Sequence, residues 1–430
     1  MRKYQQLVLL VISCLSVGIL LMYKTENNRL KYVLKYVNFF GRNDAAVLRR
    51  LENGTKEEDP KALLGRPLPV WQVIGDSFHA YSAFWIRNEL VAGGEAHVLV
   101  VGKKGAVVDF RCSLDLLGGR SLQGKFRFQR DSIESLVDDK SSNFTSYHFF
   151  CQVSRDFGQP GSVSFTDITT TKSPVKLRLR NLKPAGKKSD RLPATVCLDL
   201  VDFNMTSKFA RSENALLQFF LFHQAIGIEH FLVYNYDELP EEVIHLLGRT
   251  NIHLYALPFN FPFRQTNGTQ SRIHQLILSD CLLRNVNQAS FTLLLRPNEL
   301  FFPNSRFSMG QAKGSLQQQL RHFSSETARF ELATIAVCFD ERKKLLPDNV
   351  QYDPERRSAY KTLLNRLELA PGQLLASTAE VELSLSTAFV HRYVDCEHVG
   401  GDGLHDWRNA VRADFMEHIN ALRNEVDLLI

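Results

Sequence analysis

Charged and amide side chains stand directly after three of the predicted strands in the second half of the chain. They are Asp202 after the first strand, Asn235 and Asp237 after the second, and Arg296, Asn298 and Glu299 after the fourth. Asp and Asn oxygens bind the hydroxyl groups of a sugar or ribose, Arg binds phosphate with two hydrogen bonds, and a Glu carboxylate accepts a proton. The residue types therefore predict a site that binds phosphate and hydroxyl groups.

The segments around these residues alternate between strand and helix. The predicted strands cover residues 195–201, 230–234, 252–257 and 291–295, and the predicted helices cover 212–226, 240–248 and 270–286. Ser212 is a suitable N-cap of the first helix, and Gly227 is placed to end it. This order predicts an α/β fold with a mostly parallel sheet and helices on both sides, which binds ligands at the carboxyl ends of its strands.

Two further folded segments flank this predicted α/β region. Residues 70–180 contain short β-type runs separated by Gly, Asp and Ser clusters, which predicts a small β-rich module. Residues 404–430 carry apolar side chains at steps of three and four, which predicts a C-terminal helix that packs on the body of the protein.

The N-terminus predicts a membrane segment. Arg2 and Lys3 precede an apolar run from Leu7 to Met22 that does not end in the small residues of a peptidase site. We expect a cytosolic tail at residues 1–6, a signal anchor at 7–23 and a polar stem at 24–66, with a cleaved signal peptide as the alternative. Residues beyond the anchor would then lie in the lumen of the Golgi or endoplasmic reticulum, as in a single-pass type II protein.

Sequons and cysteines agree with a lumenal location. Four acceptor sequons begin at Asn53, Asn143, Asn204 and Asn267. Six cysteines follow Cys14, which allows up to three disulfides whose pairing the sequence leaves open, with buried free thiols as the alternative.

Composition excludes several classes of protein. The 430 residues are 44% hydrophobic and 23% charged, which excludes fibrous, largely disordered and multi-span membrane proteins. A net charge of +6 over this length gives no indication of nucleic-acid binding.

Several phrases of the sequence resemble glycosyltransferase family 92. They are His223–Asn235 with its single Gly227, Gln275–Arg284 with its central Asp280-Cys281, Leu295–Leu300 followed by Pro303, and Phe78–Ala83 with Arg87. The resemblance covers about residues 70–400 and implies a GT-A-like Rossmann-type domain at 194–400. It also implies a UDP-galactose-type donor, a glycan acceptor, a manganese ion and Golgi residence.

The chain departs from this family at the Asp-x-Asp turn, where two carboxylates hold the metal against the donor diphosphate. Arg296 and Asn298 occupy the two Asp positions, and Arg repels a cation, so we expect no metal site built as in the family. In one interpretation Arg296 replaces the cation, and Glu299 or Asp280 is the catalytic acid or base. His391 after a late apolar run is then a phosphate donor or a structural residue.

Other interpretations remain open at the level of the sequence. In one of them the protein is a catalytically inactive homologue that serves as a lumenal binding or regulatory subunit. In another it is an adhesion or receptor ectodomain. Arg296 and Glu299 could also pair with each other in a loop without touching a ligand.

Overall fold

The computed structural model describes residues of one compact unit, which lies within Leu68–Ile430. It describes residues 71–88, 93–116, 119–130, 143–155, 157–168, 174–182, 191–201, 209, 212–263, 270–304, 316–324, 327–339, 350–353, 361–367, 380–395 and 403–405. The predicted tail, anchor and stem lie outside these residues, as does nearly all of the predicted C-terminal helix. Among the described helices, none is long and apolar enough to cross a membrane.

Nine strands form the first sheet. They are β1 Gln72–Ile74, β2 Phe78–Asn88, β3 Gly93–Lys103, β4 Phe110–Leu116, β5 Ser121–Arg130, β6 Phe144–Val153, β7 Pro160–Asp167, β8 Val175–Arg178 and β9 Arg180–Asn181. The order is β1-β2-β3-β6-β5-β4-β7-β8, with antiparallel pairing throughout except where β9 pairs with β2. Because β1 also contacts β7 and β8 at the opposite edge, the sheet closes almost completely into a barrel.

The interior of this barrel follows the two-residue period of its strands. Alternate residues of β3, such as Ala96, Val98 and Val100, belong to one buried apolar cluster. The disulfide Cys112–Cys151 joins β4 to β6 across the intervening strand β5. Apolar burial and a covalent cross-link therefore stabilise the barrel together.

Eleven strands form the second sheet. They are β10 Leu192–Asp199, β11 His230–Tyr234, β12 His253–Leu257, β13 Ala289–Leu295, β14 Glu299–Pro303, β15 Arg329–Phe339, β16 Val350–Asp353, β17 Thr362–Arg366, β18 Glu380–Glu382, β19 Ala388–Asp395 and β20 Gly403–His405. The described α-helices are α1 Glu213–Ala225, α2 Glu241–Leu247, α3 Gln270–Asn285 and α4 Leu316–Gln319. The main path of the sheet is β12-β11-β10-β13-β17-β15-β16-β20.

The prediction of an α/β Rossmann-type fold with a mostly parallel sheet is wrong. Strands hold 54% of the described residues and helices 19%, and the nearly closed first sheet is antiparallel. In the second sheet, β12, β11, β10 and β13 run parallel, but β17 pairs antiparallel with both β13 and β15. The strand–helix alternation holds for residues 195–295, whereas β17 runs antiparallel between β13 and β15.

The individual elements between residues 192 and 295 are confirmed. Helix α1 begins after Ser212, whose hydroxyl accepts a hydrogen bond from the backbone N–H of Ala215, with 3.3 Å between the heavy atoms. Gly227 follows the helix with a φ of 92°, a left-handed conformation that favours glycine. Local capping chemistry therefore sets both ends of this helix.

Candidate functional site

Parallel pairing brings the ends of three strands to one edge of the second sheet. Asp199 at the end of β10 is in register with Tyr234 at the end of β11, and Leu198 is in register with Leu295 at the end of β13. Asn235 and Arg296 therefore flank Asp199, at a spacing of about 4.8 Å per strand. The predicted groups after β11 and β13 share this edge, and β10 contributes Asp199 between them.

Asp199 is completely buried and is hydrogen-bonded to a helix residue. Its Oδ2 lies 3.0 Å from His274 Nδ1, and its Oδ1 accepts a hydrogen bond from the backbone N–H of Val201 at 3.0 Å. Burial favours the neutral acid, but His274, the Arg296 guanidinium and this N–H hold the pKa of Asp199 below its ordinary value. Asp199 is therefore an ionised carboxylate with both oxygens engaged.

The Asp199–His274 pair is the outermost of three links from α3 to the neighbouring strands β10 and β13. The disulfide Cys197–Cys281 lies next to it, and Asn285 reaches Thr292 of β13. Residues 197 and 199 share a face of the strand, and residues 274 and 281 share a face of the helix. The covalent bond therefore fixes the helix face that presents His274 at the edge of the sheet.

The segment from Arg296 to Glu299 forms a tight turn after β13. The backbone N–H of Glu299 donates to the carbonyl of Arg296 at 3.0 Å, and the Glu299 side chain accepts from the backbone N–H of Arg296 at 2.9 Å. Glu299 Oε1 also accepts from Arg392 of β19, with Nε at 2.7 Å and Nη2 at 2.5 Å. Glu299 is thus held on both carboxylate oxygens, inside the turn and across to the neighbouring strand.

The environment of Glu299 favours its charged form. The residue is 2% exposed, and burial alone would raise its pKa. Arg392, Arg296 and the backbone N–H of Arg296 outweigh burial and lower the pKa of Glu299. The carboxylate therefore stabilises two nearby cations.

Asn298 is fixed against β19 as well. Its Nδ2 donates to the carbonyl of Tyr393 at 2.6 Å, and the backbone N–H of Tyr393 donates to the carbonyl of Asn298 at 2.8 Å. Its Oδ1 is buried and has no hydrogen-bond partner among the described residues. The turn therefore presents one amide oxygen and one guanidinium beside the end of β13.

These side chains do not fit the divalent cation that the family resemblance implies. All four oxygens of Asp199 and Glu299 already accept hydrogen bonds or ion pairs, and the Arg296 and Arg392 guanidiniums supply positive charge. A hard cation needs several oxygen ligands and is repelled by guanidinium. Within the described ranges, no group of three or more His, Cys, Asp or Glu side chains is arranged to hold a metal.

Asp280 lies away from solvent, between the barrel and the second sheet. It accepts hydrogen bonds from the hydroxyl groups of Ser82 on β2 and Tyr234 on β11, each at 2.6 Å. It also pairs with Nε of Arg284 one turn later in α3. This carboxylate is fully buried and joins three elements, which is a positioning arrangement.

The remaining predicted residues are placed as follows. His391 is fully buried on β19, and its ring packs against those of Phe302 and Phe389. Asn235 has left-handed backbone angles, with a φ of 59°, and its N–H donates to the Leu257 carbonyl at 2.9 Å. Asp202 and the side chain of Asp237 lie outside the described residues, as do Asn53, Asn204 and Asn267, whereas Asn143 is exposed.

Asp199, His274 and Arg392 were absent from the predicted site. An Asp inside the apolar run of residues 195–201 is a signal, because a buried carboxylate needs a partner. Asp199 lies two positions after Cys197, and His274 lies seven positions, or two helical turns, before Cys281. These spacings would have indicated the Asp199–His274 pair once the disulfide was known. No local signal indicates Arg392, which reaches Glu299 through strand pairing.

One comparison with known proteins bears on the class of this domain. The model of glycosyltransferase family 92 matches residues 194–365. This match covers less than half of the chain, and it supports a glycosyltransferase, a class that uses a nucleotide-sugar donor and a glycan acceptor.

Other comparisons add little. No curated protein matches the chain. The crystal structure of HddC from Yersinia pseudotuberculosis is similar at 9% identity over 53% of this chain and 98% of that chain, with a TM-score of 0.22. A likeness this weak carries no argument about fold or function.

Proposed function

We propose that this protein transfers a hexose, with galactose favoured, from a nucleotide sugar to a glycan without using a bound divalent cation. The family 92 match over residues 194–365 supports the reaction class. The observation that carries the metal-independent part is the strand edge where Arg296 stands beside Asp199 and Glu299, whose carboxylate oxygens are all engaged.

Arg296 has the chemistry to act on the donor diphosphate. A guanidinium is always charged, and its planar donors match two phosphate oxygens. Negative charge that develops on the leaving diphosphate is stabilised by a cation held in advance at that point. The pairing of Glu299 with Arg392 and with the Arg296 backbone holds the turn that carries this guanidinium.

We further propose that the protein acts in the lumen of the Golgi or endoplasmic reticulum, anchored by residues 7–23. The disulfides Cys112–Cys151 and Cys197–Cys281 support an oxidising compartment, and Cys338 is also disulfide-bonded. The exposed sequon residue Asn143 supports glycosylation there. Removal of N-glycans should increase electrophoretic mobility, and protease added outside intact vesicles should leave the body of the chain protected.

The test of the enzyme proposal uses the purified full chain. We expect it to bind UDP-galactose in calorimetry and to release UDP in the presence of a mixed pool of free glycans, with equal rates in EDTA and in manganese. Arg296→Ala should weaken donor binding and transfer, whereas the exposed Arg321→Ala should change neither.

Two results would contradict the proposal. Loss of transfer in EDTA with recovery on added manganese would show that a metal is needed. No binding of UDP-galactose, UDP-glucose or their N-acetylhexosamine counterparts would favour the alternative, an inactive homologue that serves as a lumenal binding or regulatory subunit.

A further inference from the structure

The proposed reaction needs a group that takes a proton from the acceptor hydroxyl, and the carboxylates first considered for it are already engaged. Both oxygens of Glu299 are bound by Arg392 and by the Arg296 backbone. Asp280 accepts from Ser82 and Tyr234 and pairs with Arg284. Each of these two carboxylates is buried with both oxygens engaged, so neither is placed to meet an acceptor hydroxyl.

His274 stands at the strand edge with a defined tautomer. Asp199 is ionised, so the hydrogen between Asp199 Oδ2 and His274 Nδ1 belongs to the imidazole. The lone pair of the neutral ring is then on Nε2, which is the atom able to accept a proton. The His274 side chain is 15% exposed, whereas the Asp199 carboxylate is fully buried.

The position of this pair relative to Arg296 suits a transfer reaction. Asp199 lies between the ends of β11 and β13, and Arg296 is close enough to lower the pKa of Asp199. A cation for the leaving diphosphate and a base for the attacking hydroxyl thus stand on two sides of one carboxylate. The disulfide Cys197–Cys281 holds the helix face that carries the base.

We infer that His274 is the catalytic base of the transfer and that Asp199 is its positioning residue, an inference that rests on the function proposed above. The acceptor oxygen forms a bond to C1 of the donor sugar as its proton moves to His274 Nε2. The bond between C1 and the diphosphate oxygen breaks, and its electron pair leaves with the nucleoside diphosphate. The imidazolium then releases the proton to solvent, which returns the site to its starting state.

Chemical rescue by imidazole distinguishes a catalytic role of His274 from a purely structural one. In the full chain, His274→Ala should lower the rate of UDP release from UDP-galactose with pooled glycans by about 10²–10⁴-fold, the usual contribution of a general base. The dissociation constant for UDP-galactose should stay near that of the natural chain. Added imidazole should restore part of the rate in this variant, and it should have no effect on the exposed control His322→Ala.

Asp199→Asn gives a second variant that keeps the imidazole. The Asn amide can donate to Nδ1 of His274 and thus place the ring hydrogen on Nε2, where the base is needed. We expect a fall in kcat with little change in KM for the donor and no rescue by imidazole. If His274→Ala fails to fold, the kcat of Asp199→Asn is the measurement that tests whether the Asp199–His274 pair acts in the transfer.

The outcomes distinguish the inference from the proposed function. A natural chain that neither binds nor transfers the sugar nucleotide overturns the proposed function. Unchanged kcat in His274→Ala, or a loss that imidazole does not restore in a folded variant that still binds donor, overturns the inference and leaves the transferase intact. Unchanged kcat in Asp199→Asn overturns the positioning role.

Discussion

Tyr234 donates its hydroxyl hydrogen to Oδ2 of Asp280 over a distance of 2.6 Å, although the two residues lie on different elements. Tyr234 ends β11, one residue before the predicted ligand-binding Asn235, and Asp280 lies in the middle of α3. Burial and the nearby carboxylate raise the pKa of Tyr234, which keeps the phenol neutral and able to donate. The end of β11 is therefore fixed by the helix that also carries His274.

Removal of the Asp280 charge is expected to destabilise the fold. In Asp280→Asn, the buried Arg284 loses its paired anion, and Arg180 nearby loses a favourable charge. Breaking one partner of a buried ion pair costs about 3–5 kcal/mol. Urea unfolding should show this loss, and the exposed Glu382→Gln should leave the free energy of unfolding nearly unchanged. A loss below about 1 kcal/mol would contradict a positioning role for Asp280.

Glu299 and Arg392 should be energetically coupled. Glu299→Gln or Arg392→Gln alone leaves one charge without its partner in a buried setting, so each single variant should be strongly destabilised. The double variant removes both charges and should cost less than the sum, with a coupling energy of up to about 3 kcal/mol. A double-mutant cycle measured by urea unfolding tests this, and additive effects would show that the two residues act independently.

His223 is expected to make the stability depend on pH. Its Nδ1 lies 2.7 Å from the Phe219 carbonyl, its Nε2 accepts from the backbone N–H of Phe301, and burial lowers its pKa from 6.5 to about 4. The unfolded chain therefore binds more protons than the folded one between these values. The free energy of unfolding should fall by roughly 3 kcal/mol as the pH drops from about 6.5 to about 4.

The matched comparison for this pH effect is His223→Gln, since Gln can also donate and accept. The difference in unfolding free energy between the natural chain and His223→Gln should shrink as the pH falls from 7 to 5. The exposed His322→Gln should show no such trend. Parallel pH curves for the natural chain and His223→Gln would rule out His223 as the source.

Gly124 is expected to be required by the disulfide that crosses β5. A Cβ at this position would lie 2.3 Å from the sulfur of Cys151 and 3.1 Å from that of Cys112. Gly124→Ala should therefore cost about 1–3 kcal/mol through overpacking. In a background with both cysteines changed to Ala the methyl group has room, so the same substitution should cost much less. Equal costs in the two backgrounds, measured by thermal unfolding with the disulfide state checked by mass spectrometry, would contradict this account.

Local patterns predicted the elements of the site well and its pairing poorly. The apolar run of residues 195–201, the Ser212 cap and the single Gly227 are read from neighbouring residues; the cap and the glycine are found as predicted, and the strand ends two residues earlier, at Asp199. The antiparallel return of β17 beside β13 joins residues about seventy positions apart, and no short-range pattern specifies such a pairing. The fold class was wrong for this reason.

The sequence by itself determined the strand ends that carry Asn235 and Arg296, the absence of an Asp-x-Asp turn and the resemblance to family 92. The tertiary structure alone decided that Asp199 meets His274, that Asp280 is buried against Ser82 and Tyr234, and that Glu299 is held by Arg392. Capping, periodicity and residue type act over a few residues, so they are present in any short segment. The state of a carboxylate depends on which cations and donors surround it, and folding brings those from distant parts of the chain.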